Sequence, residues 1–415
     1  MNKLNIFLKS LISLVLLLGI ISFQTELVYA ENIEISGKVA SSVSYNNLYY
    51  DSLLADPINH SNLLTSLTGD LYFQYINEDQ FQYFLDLKFD GSLVNTQTSI
   101  APVNLLVNQL YIIIPFSDNV FLSVGKKYKE IGVSSSFNIS NRISPKFYNY
   151  SSYSYSENVP GIIEVDILKS SAFSYGFIMN FKNAQNWDDI QASVFTNYNS
   201  GNFNIEEYLY FEKFQDYFIG SNLTYQLGKY QLYTESIVKG RAEQKVITQD
   251  TGNPTNDFQV QNLRNSIGIV FGGSISINNT IASLEYMYNG EGYDGIEQAV
   301  FINYFQKYPA LLSQINSFYS RCAFAKNYLA FNISTADFFH QDLTLKISTI
   351  ASFPPGTDNF GDYASYELIG GLEYSFKQNV VLKSYLSYRT GGAKSEFQNF
   401  YPNNLGCFLS INYTF

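Results

Sequence analysis

The chain has 415 residues, of which 17% are aromatic and only 15% are charged, and its formal net charge at pH 7 is −11. The acidic balance argues against a nucleic-acid partner, because binding to phosphates depends on clustered Lys and Arg. Tyrosine (35) and phenylalanine (34) are abundant. This is typical of transmembrane β-barrels, since lipid covers their outer face and aromatic girdles mark their two rims. A secreted β-sandwich or β-helix is the alternative that composition leaves open.

Residues 1–30 are predicted to be a secretory signal peptide. Two lysines precede an apolar run from Leu11 to Ile21, and small or tolerated residues provide a cleavage site after Ala30. The apolar run is shorter than the roughly 20 residues that a spanning helix needs. No later apolar run is long enough for a membrane helix either. We therefore expect the mature chain, residues 31–415, to be exported across the inner membrane.

From Ile33 onward, apolar and polar residues alternate with the period of two that defines a β-strand. The clearest example is Phe81 to Asp90, where aromatic and leucine side chains alternate with polar and charged ones. The same pattern predicts about 18 strands, with 16 to 18 favoured, each long enough to cross a bilayer at a tilt. Two strands are irregular: residues 104–114 are apolar on both faces, and Glu206-Glu207 places an acid outward in either register.

The connections between these strands alternate between short and long. Short turns include residues 77–80 and 377–379, whereas long segments fall at 129–160, 241–262 and 289–326. An outer-membrane barrel has this alternation because its periplasmic turns are short and its outer loops are long. A soluble sandwich has no reason to keep it. The predicted fold is therefore an all-β, up-and-down antiparallel barrel in the bacterial outer membrane.

Charged side chains on the polar faces define the predicted lumen. Acids slightly outnumber bases there, which suggests a weak preference for cations, although each residue has the alternative of pairing across neighbouring strands. The predicted pore-lining residues are Asp70, Asp86, Lys88, Asp90, Lys127, Arg142, Lys146, Glu164, Asp166, Glu235, Glu285, Lys346, Glu373, Lys383 and Arg389.

The segment 129–160 has two interpretations. It contains Arg142, Lys146 and a run of tyrosines, and one interpretation is that it folds inward and narrows the pore beside Glu164 and Asp166. Basic residues facing acids across a pore would orient dipolar solutes. The other interpretation is a lid on the surface.

The segment 289–326 is predicted to form one or two short helices that cap or enter the barrel mouth. The segment continues through Glu297–Phe305 and Pro309–Tyr319, and in the latter stretch apolar residues recur at helical spacing behind Pro309, a residue suited to a first helical turn. The segment opens with Glu291 and Asp294 among glycines, where a flexible turn is favoured over a Ca²⁺ site, because the EF-hand spacing is absent.

Several short stretches resemble known membrane proteins. The last strand, with alternating Leu409, Ile411, Tyr413 and Phe415, resembles the terminal strand of bacterial outer-membrane barrels, which implies the barrel-assembly machinery as a partner. Other stretches are similar to bacterial porin-like proteins related to alginate-export barrels. These are Ser123-Val124-Gly125-Lys126, Phe137-Asn138-Ile139-Ser140-Asn141-Arg142 with Pro145, Glu157-Asn158-Val159-Pro160-Gly161, Glu285 to Tyr293, and Ser395-Glu396-Phe397. The resemblance implies a porin-like barrel but no polyuronate substrate, because the predicted lumen is more acidic than basic.

Enzymatic activity is not expected. The two histidines, His60 and His340, are predicted on opposite sides of the membrane and cannot share a site. No cofactor or metal site is predicted, and the sequence leaves open whether Cys322 and Cys407 pair. The predicted function is therefore passive diffusion of small hydrophilic solutes or ions. The alternative is an adhesin or structural barrel that functions through its loops. A homotrimer, common among porins, is compatible with either function.

Overall fold

The computed structural model is a closed β-barrel. It describes residues 33–48, 63–94, 104–137, 139–140, 146–149, 154–157, 159–181, 190–212, 216–308, 324–356, 360–376, 379–399 and 403–415. Within these residues, 18 strands form one antiparallel sheet, and its first strand pairs with its last. Closure leaves no sheet edge with unpaired backbone groups, which is the condition for a sheet to span a bilayer. The predicted all-β barrel of about 18 strands is confirmed.

The strands follow one another around the barrel in chain order, apart from β6 and β7, which pair only with each other in a long loop. The strands are β1 Ile33–Leu48, β2 Leu63–Ile76, β3 Gln82–Val94, β4 Asn104–Ser117, β5 Val120–Lys126, β6 Lys146–Asn149, β7 Ser154–Glu157, β8 Gly161–Leu168, β9 Phe173–Asn180, β10 Gln191–Ser200, β11 Phe203–Glu212, β12 Asp216–Leu227, β13 Tyr230–Ile247, β14 Phe258–Ile277, β15 Thr280–Asn289, β16 Asn327–Thr335, β17 Leu343–Ser352, β18 Ser365–Phe376, β19 Val380–Gly391 and β20 Asn403–Thr414.

Four helices lie in those connections that the structure describes. They are α1 Pro254–Asp257, α2 Gly295–Lys307, α3 Phe360–Tyr363 and α4 Glu396–Asn399. The α2 helix confirms the first helix predicted in the segment 289–326, whereas the second, at 309–319, lies outside the described residues. None of the helices among the described residues has the length and hydropathy that a membrane span requires.

The alternation of side chains separates an apolar outer face from a mixed inner one. On β18, for example, Tyr366, Leu368 and Leu372 point outward and are 47%, 44% and 43% exposed, whereas the inward Glu367 and Ile369 are buried. Exposed aliphatic and aromatic side chains on one continuous surface suit a lipid environment.

The two irregular strands have local explanations. In β4 the pairing with β3 shifts by one residue opposite Asp86, so the extra residue Asn108 forms a β-bulge. Beyond the bulge, Leu106 shares the inward face with Lys88, which is why this strand is apolar on both faces. In β11, Glu206 points inward and Glu207 is exposed on the outer face. The sequence predicts that one of these two acids points outward, and the outward acid is Glu207.

The strands β13 and β14 continue past the ends predicted for them. Their pairing extends to Ile247 and Phe258, so the connection shortens from the predicted 241–262 to residues 248–257. The extension is stable because a hairpin that leaves the barrel wall still satisfies its own backbone hydrogen bonds.

The C-terminal residue completes the closure of the barrel. Phe415 and Gly37 exchange two backbone hydrogen bonds, at 2.9 and 3.0 Å. The ring of Phe415 lies over Gly37, where an added Cβ would be only 2.5 Å from the ring. Gly37 is therefore required for this close approach.

Candidate functional site

The feature that defines the lumen is the connection between β5 and β8, residues 127–160, which we call the inner loop. Its residues 133–136 and Ser140 fold into the barrel and contact β12, β13, β15 and β16. Because β16 stands eight strands from β8 in a ring of 18, the loop runs along the inner wall over nearly half of the barrel circumference. Of the two interpretations that the sequence leaves open for this segment, the inward fold is the one found for its described residues up to Ser140.

Glu285 on β15 is the main anchor of the inner loop. Its carboxylate accepts hydrogen bonds from the backbone N–H groups of Ser135 and Ser136, at 2.8 and 2.9 Å. It also accepts from the hydroxyls of Ser134 and Ser135, at 2.8 and 2.7 Å, and from that of Tyr233, at 2.5 Å. Glu285 is fully buried. Five donors converging on one carboxylate match its ionised form, which only accepts hydrogen bonds.

Glu235 on β13 provides the second anchor. Its Oε1 accepts from the backbone N–H groups of Val133 and Ser134, at 2.5 and 2.6 Å, and its Oε2 accepts from that of Ser140, at 3.3 Å. The Ser140 hydroxyl donates to Oδ1 of Asn222 on β12, at 2.8 Å. Glu235 is also fully buried. Glu235 therefore holds the two ends of the serine segment, residues 133–140, against the wall, and Glu285 holds its middle.

Apolar side chains of the inner loop fill the same side of the lumen. Ile131 and Phe137 are 3% and 5% exposed and belong to two separate clusters. Ile131 packs in a cluster with Ile162, Ile178, Phe195, Tyr208, Tyr210, Phe218 and Ile237. Phe137 belongs to a cluster with Val270, Met287, Tyr293, Phe301, Ile302, Tyr304, Phe305, Phe324, Ala325, Tyr328, Ala330, Ile350 and Phe397. Hydrogen bonding and burial thus fix the loop together.

The start of the inner loop is fixed by a buried group of charges. Glu164 on β8 is fully buried, and its two carboxylate oxygens lie 2.5 Å from the Nζ atoms of Lys127 and Lys129. The Lys129 ammonium also lies 4.6 Å from the centre of the Phe195 ring, a favourable cation–π distance. Because each oxygen has its own cation, these charges are paired inside the wall.

The mouth of the barrel is partly covered by α2, which packs on the cluster that contains Phe137. Asp294 caps the helix: its side chain accepts from the Glu297 N–H, and the Glu297 side chain accepts from the Asp294 N–H, both at 2.9 Å. Phe301, Ile302 and Phe305 are buried beneath it. Asp294 therefore has a structural role at this helix end, in place of the Ca²⁺ site considered and disfavoured from the sequence.

An outer latch joins α2 to the β13–β14 connection. Asp257 accepts hydrogen bonds from the Thr251 N–H and hydroxyl, at 2.9 and 2.6 Å, from the Gly252 N–H at 2.7 Å and from the Tyr304 hydroxyl at 2.7 Å. Burial raises the pKa of Asp257, but these hydrogen bonds outweigh burial and lower the pKa to about 2. The latch carboxylate is therefore ionised at neutral pH.

The opposite side of the lumen carries exposed charges. None of the described hydrogen bonds of the inner loop reaches β18–β20 or β1–β3. We call these strands, together with β17, the open wall. On it, Glu373 lies 2.9 Å from the Lys346 ammonium and 3.6 Å from that of Lys383, and the Tyr385 hydroxyl donates to it. The two lysine side chains are 44% and 32% exposed. This cluster thus presents cations to the lumen.

A second charged pair on the open wall is looser. Lys88 and Asp70 are 4.0 Å apart, and both are partly exposed. Lys38 lies opposite Asp70 in the strand register and is exposed. A pair at this distance in contact with water contributes little to stability, so its charges are available to solutes.

An acidic, aromatic pocket lies on the open wall and the neighbouring β4. Asp86 is 3% exposed and accepts from Nδ2 of Asn108 at 2.5 Å. Its other oxygen has no hydrogen-bond partner among the described residues. The pocket is lined by Glu34, Ser36, Tyr72, Phe73, Gln74, Phe84, Leu85, Asp86, Gln109 and Tyr111. A buried unsatisfied carboxylate oxygen is costly and suits a bound donor.

The remaining predicted pore residues differ in position. Asp90 is exposed on β3, and Asp166 points inward from β8 in a partly buried position. Arg389 is buried, with its Nε 2.6 Å from the Glu367 carboxylate. Lys146 lies on β6, and Arg142 lies outside the described residues, so the dipole-orienting arrangement predicted from them stays a prediction.

The residues that sequence reasoning missed are the serines of the inner loop. The run Ser134-Ser135-Ser136 has no strand or helix period, and its role depends on acids that are about 100 to 150 positions away. The sequence does contain one signal for this segment: a run of small hydroxyl residues follows Gly132, which has a φ of 119°. It indicates a tight, hydrogen-bonding turn but not its partner.

No family model matches the chain, and no curated protein matches it. Solved structures do. The outer membrane protein opdK from Pseudomonas aeruginosa is 10% identical with a TM-score of 0.59, covering 94% of this chain and 100% of its own. OpdL from the same organism is 9% identical with a TM-score of 0.59, covering 93% and 99%. OccK2 (OpdF), solved with glucuronate, is 9% identical with a TM-score of 0.56, covering 94% and 99%.

These likenesses, at such low identity, concern the fold. The chain has the closed 18-stranded architecture of these Pseudomonas outer-membrane barrels over nearly its whole length. The resemblance to alginate-export barrels stays a prediction from short motifs.

Proposed function

We propose that this protein is a porin-like channel of the bacterial outer membrane, through which small hydrophilic solutes and ions diffuse passively. The observation that carries the proposal is the inner loop, which is fixed against one side of the lumen while the opposite wall keeps Lys346, Lys383 and Lys88 exposed to the lumen. A barrel that acts only through its surface loops has no need for this division. The shared fold with known outer-membrane barrels supports the same function.

The proposed location has two further supports. The outer face is apolar and aromatic over the strands, as lipid contact requires, and the first 30 residues have the pattern of a signal peptide. We also propose that the barrel-assembly machinery recognises the last strand through Phe415. No enzymatic activity is proposed.

The ion preference that we propose is weaker than the sequence suggests. The acid excess predicted from the sequence included Glu164, Glu235 and Glu285, but these three are buried and each is bound to lysines or loop donors. On the open wall, lysines face comparable numbers of acids. We therefore propose a channel with little selectivity for ion charge, in which the open wall sets what selectivity there is.

The test is solute flux through the purified, refolded protein. Liposomes that contain it are expected to swell at rates that fall with solute size from pentoses to trisaccharides, and planar bilayers in a KCl gradient should give a reversal potential close to zero. Control liposomes contain heat-denatured protein. A folded barrel that admits no sugar of any size would contradict the proposal and favour the adhesin or structural barrel.

A further inference from the structure

The acidic, aromatic pocket is built mainly by two rows of inward side chains, each of which crosses β1 to β4. Members of a row are opposite one another in consecutive strand pairs. The first row consists of Ser36, Tyr72, Asp86 and Gln109, and the second of Glu34, Gln74, Phe84 and Tyr111. The pocket has a volume of about 200 Å³, which is below the roughly 300 Å³ at which sites for drug-sized ligands begin. Its occupant is therefore a small molecule.

Asp86 is the residue that points to a ligand. Its Oδ2 accepts from Nδ2 of Asn108 at 2.5 Å, whereas its Oδ1 has no hydrogen-bond partner among the described residues. Asp86 is only 3% exposed, so bulk water does not replace the missing partner, and an unpaired buried oxygen is costly. Asn108 is the bulged residue of β4, and β-bulges are common beside functional sites, where they re-aim a side chain. Oδ1 therefore needs a donor that the described residues do not supply.

The donor that suits this oxygen is a protonated amine. The charged residues that line the pocket are Asp86 and Glu34, and no described lysine or arginine lines it. An ammonium group donates strongly to a carboxylate that is shielded from water. A metal ion suits the pocket less well, because no group of three or more His, Cys, Asp or Glu among the described residues could hold one.

Lysines around the pocket limit its occupant to one positive charge. The next inward row, on the side away from the turn at 77–80, consists of Lys38, Asp70 and Lys88. This row has two cations for one acid and lies about 7 Å farther along the strands, so a second ammonium that leaves the pocket there meets like charge. Lys127 lies 5.7 Å from the centre of the Tyr111 ring, but its ammonium is bound to Glu164 at 2.5 Å. A solute with two amino groups is therefore disfavoured.

The rest of the pocket suits hydroxyl groups on a compact carbon ring. Ser36, Gln74 and Gln109 line it with hydroxyl and amide groups, which can both donate and accept hydrogen bonds. Phe84 and Tyr111 are stacked, with ring centres 4.5 Å apart and planes at 13°. The negative face of an aromatic ring attracts ammonium groups and polarised C–H groups. One amine, several hydroxyls and a face of C–H groups together describe an amino sugar.

We propose that the acidic, aromatic pocket is a binding subsite for protonated amino sugars, in which the ammonium pairs with Oδ1 of Asp86 and the sugar ring lies against Phe84 and Tyr111. The subsite rests on the channel function proposed above and names the class of solute that the channel retains. Glu34 is exposed at the pocket and attracts the ammonium toward it. Tyr72, opposite Asp86 and 40% exposed, uncovers Oδ1 by a rotamer change, which is fast for an exposed side chain.

The test is a saturation-transfer NMR titration of the folded protein in detergent micelles with glucosamine and N-acetylglucosamine at pH 6. Glucosamine is protonated at this pH, whereas acetylation removes the charge and keeps the ring. The wild type is expected to bind glucosamine at least tenfold more tightly. Asp86→Asn, which can still accept from Asn108, should bind the two sugars alike. Asp90→Asn removes an exposed acid two inward positions farther along the same strand, and this matched control should keep the preference.

Binding in micelles does not require a conducting channel, so the subsite and the proposed function can fail separately. Liposome swelling with arabinose, a neutral sugar, measures the channel of the wild type in parallel. Swelling without a preference for glucosamine contradicts the subsite alone, and a preference without swelling contradicts the channel alone. Heat-induced mobility shifts verify that each variant is folded. A preference that survives Asp86→Asn, or that is lost equally in Asp90→Asn, would overturn the assignment of the subsite to this pocket.

Discussion

Replacing Glu285 by alanine should release the serine segment from the wall. Glu285 accepts five hydrogen bonds, from Ser134, Ser135, Ser136 and Tyr233. The substitution leaves two backbone N–H groups and three hydroxyls without their acceptor. Hydrogen bonds to a charged group contribute about 1.5–3 kcal/mol each, but they are not additive. Removing one side of a buried charged network costs about 3–5 kcal/mol.

A loss of this size changes the ratio of docked to released loop by roughly 10²- to 10⁴-fold. Single-channel recording in planar bilayers is the assay, and the Glu285→Ala variant should show higher conductance and more open-channel noise than the wild type. The substitution does not affect the backbone hydrogen bonds between barrel strands. The heat-induced shift in gel mobility, which reports on the folded barrel, should therefore stay unchanged.

Two variants control this experiment. Glu285→Gln keeps the side-chain volume, but one carboxylate oxygen becomes an amide NH₂ group, a donor that faces other donors. The conductance of this variant should therefore fall between those of the wild type and the alanine variant. Glu373→Gln, on the open wall, should not increase the noise. If Glu285→Ala has the conductance and noise of the wild type, Glu285 does not hold the loop, and the reasoning is refuted.

Three further outcomes are expected. Lys383→Gln removes a cation from the open wall and should move the reversal potential in a KCl gradient toward cations; a shift toward anions would contradict the role of that wall. Gly220→Val should destabilise the barrel by about 1–3 kcal/mol, seen as a lower temperature for the mobility shift, because an added Cβ would lie 1.9 Å from the Tyr208 ring. The pKa of Asp257 is about 2, below its ordinary value near 3.9. The latch should therefore persist above about pH 4 and weaken as the pH falls through about 2. Limited proteolysis should detect this pH-dependent weakening of the latch in the wild type but not in Asp257→Asn.

The strand architecture followed from local information in the sequence. Alternation with a period of two is visible in each segment, and turn residues such as those at 77–80 mark the reversals. A strand must present one face to lipid and the other to the lumen, so its pattern is determined by residues two apart. The irregularity at residues 104–114 was visible too, but its cause, the bulge at Asn108 opposite Asp86, depends on the pairing with β3.

Which inward side chains line the open channel could not be predicted from local sequence patterns. Glu235 and Glu285 have the strand position of pore-lining acids, and nothing near them in sequence distinguishes them from Glu373, which remains on the open wall. Their burial depends on a serine segment about 100 to 150 residues away, and such a contact exists only once the barrel has closed around the loop.

The sequence by itself therefore determined the closed barrel, its two faces and the alternation of turns and loops, because each of these is encoded by neighbouring residues. Only the tertiary structure decided which inward charges meet water. That depends on the path of one loop along one side of the lumen, fixed by hydrogen bonds between residues that the chain itself keeps far apart.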